Sequence, residues 1–143
     1  MNDPRRAASL VFGAMFAAQI LFLLVARFVQ SSVLPPESFS QTTLLVIGIG
    51  ACPLLAAASW LIGARLVAAA QTRPDAIERS QTLLRASIIR IAILEFGAII
   101  QVAFYLLTGE IAFVGLFFLT LFMFWIQRPK AEEWDRITAS VSR

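Results

Sequence analysis

The sequence predicts an all-α, polytopic membrane protein: four transmembrane helices in an up-down bundle, both termini cytoplasmic, and a short amphipathic helix near the C-terminus. Three observations lead there. Of 143 residues, 59% are hydrophobic and 15% charged, with a mean hydropathy of +0.78, whereas a soluble domain is about 45–50% apolar and about 25% charged. Four apolar stretches, at 9–29, 43–69, 84–107 and 110–126, are long enough or nearly so to cross hydrocarbon, which takes roughly 20 helical residues. The basic residues collect at one set of span ends. The chain is therefore expected to be a single transmembrane domain over 1–143, with a cytoplasmic tail at 127–143.

Arg5 and Arg6 precede the first stretch in the manner of a signal peptide. Its apolar run of about 20 residues exceeds a typical h-region and no A-x-A cleavage site follows, so an uncleaved anchor is expected. Asp3 suits the N-cap and Pro4 the first helical position.

Arg65, Arg73, Arg79 and Arg85 surround the connection between spans two and three, and Arg128, Lys130, Arg136 and Arg143 follow span four. The other two connections hold only acids, Glu37 and Glu110. This asymmetry places both termini in the cytoplasm. Arg27, at the outer end of span one, is expected to snorkel outward, and Tyr105 and Trp125 to sit in the interfacial belts.

Pro74-Asp75 breaks the chain, and the stretch from Asp75 to Leu107 then reads as one helix. At 1.5 Å per residue it measures roughly 50 Å, well over a hydrocarbon core of about 30 Å. Its first turns, Asp75 to Leu83, should project as a solvated helix end or a surface for a soluble partner. The centre of its membrane part falls beside Glu95, where an acid costs at least about 2.5 kcal/mol to insert. Ala92 and Ala98 flank it at helical spacing and permit close approach of another backbone. Gln19 marks the middle of span one, so a Glu95 to Gln19 hydrogen bond is expected. Arg90 lies about 140° around the helix from Glu95 and shares a stripe with Ser87, Gly97, Gln101 and Thr108. These polar groups are either satisfied inside the bundle, engaged with an ion or substrate, or paired across a subunit contact.

Span two carries small residues at helical spacing, Gly48, Cys52 and Ala56, then Ser59 and Gly63, and is expected to pack tightly near the bundle centre, with a kink at Pro53. Span four has no charge. Its rings, among them Phe113, Phe117, Phe118, Phe122, Phe124 and Trp125, occupy more than one face, so it faces lipid or forms a docking surface. In the tail, Trp134, Ile137 and Val141 form an apolar stripe opposite Glu132, Glu133 and Arg136, suited to lying on the inner membrane face or docking on a partner.

With no His and one Cys, the chain offers no usual zinc site, no His-ligated haem, no Cys-His nucleophile and no intrachain disulfide. No catalytic constellation, metal site or cofactor is expected. The net charge of +3 reflects membrane orientation rather than nucleic-acid binding.

Spans two and three, with the Arg73-Pro74 turn and Glu95, resemble the helical hairpin of rotary ATPase c subunits over about 60 of 143 residues. That resemblance implies a possible H⁺ or Na⁺ carboxylate at Glu95. The strings IIRIAILE, LTGE and RPKAEEWDR resemble a group of small, uncharacterised four-span bacterial inner-membrane proteins over most of the chain. That likeness implies architecture but no activity. Two functions follow as expectations. The first is a bacterial inner-membrane protein that acts by assembly, as a homo-oligomer or accessory subunit, with Phe113, Phe117, Phe124, Trp125 and Trp134 as contact residues. The second is a small transporter or ion-translocating subunit in which Glu95 titrates, assisted by Gln19, Arg90 and Gln101.

Overall fold

The computed structural model describes residues 4–30, 32 and 40–139. Asp3, Glu37, Val141 and Arg143 lie outside them. The described elements are all helical: α1 (Pro4–Gln30), α2 (Gln41–Gln71), α3 (Ala76–Thr108), α4 (Ile111–Ile126) and α5 (Ala131–Ala139). Four segments are long and apolar enough to cross a membrane, Pro4–Gln30, Gln41–Gln71, Ala76–Thr108 and Ile111–Ile137. The last takes in α4, the Arg128-Pro129 break and most of α5. The architecture is that of a multi-pass membrane protein.

Local chemistry sets the helix ends. Ser40 caps α2 by accepting from the Thr43 amide, which carries the helix two residues beyond the expected start. Asp75 caps α3 through the Ile77 amide at 3.2 Å. At the far end of α3, Gly109 takes φ 71° and donates its N–H to the Tyr105 carbonyl at 2.8 Å. Only a residue free of Cβ strain enters this left-handed region readily, so the chain reverses within two residues and α4 returns beside α3.

Burial identifies the central helix. Within its most apolar stretch α3 is 44% buried, against 17% for α2 and 11% for α1, and α3 packs on each of the other four helices. The expectation that α2 occupies the centre is corrected: its small residues form a flat side on which α3 rests. Pro53 lies within the continuous α2 helix, on an exposed face. At one end of the bundle Ala26, Val102, Tyr105 and Phe113 meet. At the other, Ala8, Ala70, Leu83, Trp134 and Ile137 meet, which brings the start of α1, the end of α2, the start of α3 and α5 together. The alternation is up-down, as predicted.

Several expectations about single side chains are corrected by this packing. Tyr105 is buried within the bundle, and its hydroxyl accepts from Arg27 Nη1 at 2.9 Å, so Arg27 is tied to α3 rather than simply extended outward. The apolar stripe of α5 faces the bundle, since Trp134 and Ile137 are buried against α1, α2 and α3. Along the same seam Arg79 Nη1 donates to the Ile137 carbonyl at 3.4 Å, so the first turns of α3 are partly covered by α5. At the surface Arg5 and Asp135 pair at 3.2 Å.

Gly48 shows how tight the α2 face is. A Cβ there would stand 2.9 Å from the Phe113 ring and 3.0 Å from Gln101 Oε1, whereas one at Gly13 would meet nothing within 4 Å. Gly48→Leu should therefore destabilise the fold by roughly 1–3 kcal/mol, and Gly13→Ala should leave it unchanged or slightly stabilised. The buried thiol of Cys52 provides the measurement: the temperature at which a thiol-reactive fluorophore labels it falls in the first variant only.

Candidate functional site

Five buried residues of α2, Gly48, Cys52, Ser59, Gly63 and Ala70, make up the inward side of that helix. None is larger than a thiol or hydroxyl, so the polar groups of α3 and α4 reach the α2 backbone and its short side chains. Gln101, fully buried, donates from Nε2 to the Gly48 carbonyl at 3.0 Å. Cys52 Sγ lies 3.5 Å from Thr120 Oγ1. Ser59 Oγ lies 2.7 Å from Gln127 Oε1 and 3.0 Å from the Arg90 carbonyl, with its one proton available to either. Gly63 leaves room for the Arg90 stem, which a Cβ would overlap. Ala56 is half-buried, beside a third core group of Phe12, Ile91, Leu94 and Phe124.

The stripe predicted on α3 is real. Ser87, Gly97, Gln101 and Thr108 are all buried. Arg90 belongs to it and runs toward the end of α4, donating Nη2 to the Gln127 carbonyl at 3.0 Å and pairing Nη1 with Glu133 Oε2 at 3.7 Å. Its side chain is 16% exposed and that of Glu133 25%. A guanidinium so placed is charged under all ordinary conditions and needs such acceptors.

Glu95 is different. It is half-buried on the edge of α3, between buried Ile91 and Ala98 on one side and exposed Ala92 and Ile99 on the other. It makes no hydrogen bond or ion pair among the described residues. The expected bond from Gln19 is corrected: Gln19 is 3% exposed, yet both its side-chain polar atoms lack a partner. The α1 face carrying Ala8, Phe12, Gln19 and Ala26 turns inward, while Glu95 sits at the rim of α3.

Of the expected contact residues, all but Trp125 are also corrected. Phe113, Phe117 and Phe124 are at most 1% exposed and Trp134 is 4% exposed, so they build the core instead of a free surface. Phe124 stacks on Phe12 at 4.9 Å between ring centroids. Phe118, Phe122 and Trp125 point outward, and Arg128 lies 4.8 Å over the Trp125 ring.

α4 ends at Ile126, level with Ser59 and Arg90, although α2 continues to Gln71. The space left below it is an open cleft of about 700 Å³ between α2, α4 and α5. One wall is the α2 stripe Trp60, Ala64, Val67 and Gln71, at spacings of four, three and four; the opposite wall carries Lys130, Glu132, Glu133 and Arg136, with Arg90 and Gln127 at its inner end. This α2 stripe lies apart from the small-residue repeat read in the sequence, Gly48, Cys52, Ala56, Ser59 and Gly63. The partners of Arg90 were not legible there, because they depend on where α5 crosses.

Replacing Arg90 with Met should loosen α5, since Glu133 and the Gln127 carbonyl each lose a partner. Tryptic cleavage after Lys130 should then accelerate several-fold in native membranes, while a conservative Arg90→Lys variant shows a smaller effect because it cannot bridge two acceptors as well. No family model matches the sequence, and neither a curated protein nor a solved structure matches it.

Proposed function

We propose that this chain acts by assembly within the bacterial inner membrane, as a homo-oligomer or accessory subunit, through the α3 edge that carries Glu95. One observation carries the proposal: a carboxyl near the middle of a span is only half-buried and has no partner among the described residues. In hydrocarbon such a group stays only if it is met by a donor, shares a proton or is neutral. Exposed Ala92, one turn away, lets a second transmembrane helix come close enough to supply the donor. The bundle end that holds the start of α1 and α5 is the basic one, carrying Arg5, Arg6, Arg73, Arg79, Lys130 and Arg136, which supports its cytoplasmic placement.

Ion translocation through Glu95 is the competing proposal. The polar groups that would assist it point elsewhere: Gln101 is engaged with Gly48, Arg90 with Gln127 and Glu133, and no hydrogen bond joins either of them or Gln19 to Glu95. Assembly therefore fits the geometry better.

In lipid nanodiscs, the chain should run as an oligomer or with a co-purifying subunit, as read by native mass spectrometry. Glu95→Leu should dissociate it, and Glu95→Gln, which keeps hydrogen-bonding capacity, should retain much of the association. A monomer at every concentration and without a companion would overturn the reading. Carbodiimide labelling of Glu95 that Na⁺ prevents would favour translocation instead.

A further inference from the structure

We propose that the cleft between α2, α4 and α5 is a binding site for one phospholipid whose headgroup carries an amine, with the phosphate on Lys130 and Arg136 and the ammonium on Glu132. This does not depend on Glu95 or on assembly.

The shape of the cleft argues for an amphiphile. From Trp60 to Gln71 it extends about 16 Å along α2, at 1.5 Å per residue. Its inner part is walled by Trp60, Ala64, Val67 and Ile126, and its outer part by charged side chains. The inner end reaches the level of Arg90, within the apolar part of α3, so the cleft runs from the polar margin of the bundle into the depth of its spans. A soluble ion would leave the apolar wall bare. An acyl chain lying along Trp60 and Val67 covers it while the headgroup remains among the charges. The volume of about 700 Å³ suits the headgroup and the first part of the chains, not a whole lipid.

The charges select the headgroup. Arg90 and Glu133 are occupied with each other, and Arg90 also with Gln127. Lys130, Arg136 and Glu132 are exposed, and their side chains have no hydrogen bond or ion pair among the described residues. Two cations and one acid remain for a ligand. A phosphodiester takes the cations through charge-assisted hydrogen bonds, and the remaining carboxylate repels a purely anionic headgroup but pairs with an ammonium. Glu132 therefore sets the preference between headgroups, while Lys130 and Arg136 set retention.

The test uses the full chain in detergent, offered equal amounts of phosphatidylethanolamine and phosphatidylglycerol, with bound lipid counted by native mass spectrometry. One phosphatidylethanolamine per chain should be retained preferentially. The double variant Lys130→Ala/Arg136→Ala should lower retention of either lipid roughly a hundredfold, about tenfold for each of the two charge-assisted hydrogen bonds lost. Lys130→Arg/Arg136→Lys should restore it. Glu132→Gln should keep total retention and abolish the preference. Cys52 labelling temperatures matching the parent chain show that each variant is folded. Equal retention of the two lipids by the parent chain, preference for phosphatidylglycerol, or retention unaffected by the double variant would each overturn the proposal. So would displacement of the lipid by an equal concentration of free phosphoethanolamine, which would identify a soluble ligand in place of a membrane one.

Discussion

In hydrocarbon a buried polar group is stabilised where a partner comes within hydrogen-bond reach, and the approach of α2 to α3 brings the Gly48 carbonyl to Gln101 and the Arg90 carbonyl to Ser59. The inward residues of α2 are Gly48, Cys52, Ser59, Gly63 and Ala70. Gly48 or Gly63 enlarged to Leu would push α2 away from Gln101 or Arg90. The cost would not stop at packing, because a buried polar atom that loses its partner forfeits its full solvation as well. Small side chains here serve hydrogen bonding as much as close contact. That is how the central helix keeps Gln101 fully buried and lays the Arg90 stem beside Gly63.

The same approach determines the form of the far end of the bundle. Arg90 and Ser59 hold Gln127 at the close of α4, and the Arg128-Pro129 turn then sends the chain across to α1, α2 and α3 instead of down beside α2. Trp134 and Ile137 fasten α5 in that position. A groove remains where a full-length fourth helix would have lain. It is lined on one side by a stripe of α2 from Trp60 to Gln71 and on the other by the polar side of α5.

Much of this was legible in the sequence. Span limits followed from the apolar runs, and the polar stripe of α3 from the 100° turn per residue. The small face of α2 was legible for the same reason. What could not be read was rotation. In water a helix shows which side is buried by contrast with its polar side, but a helix among lipids is apolar all round. The inward set of α4, Phe113, Phe117 and Phe124, and its outward set, Phe118, Phe122 and Trp125, are chemically alike. Glu95 and Gln19 share a depth, yet depth alone does not make a bond, and the turn of α1 about its axis was not encoded in any local pattern. The pairing of Arg90 with Glu133 depends on a helix 43 positions away, reached through a break whose direction the sequence did not specify.

The connections at 72–75 and 109–110 are only four and two residues long. During synthesis, α2 is followed almost at once by α3 and α3 by α4. The acceptor for Gln101 lies in the span already made, Gly48, so that amide meets its partner on arrival. Ser59 contacts the Arg90 carbonyl in the next span and Gln127 at the end of the one after. The α2–α3 part of the seam can therefore close as soon as α3 has emerged, whereas the Arg90 guanidinium gains its acceptors only with Gln127 and Glu133. Short loops here give the membrane-insertion machinery a nascent bundle that becomes less polar toward its surroundings with each added helix.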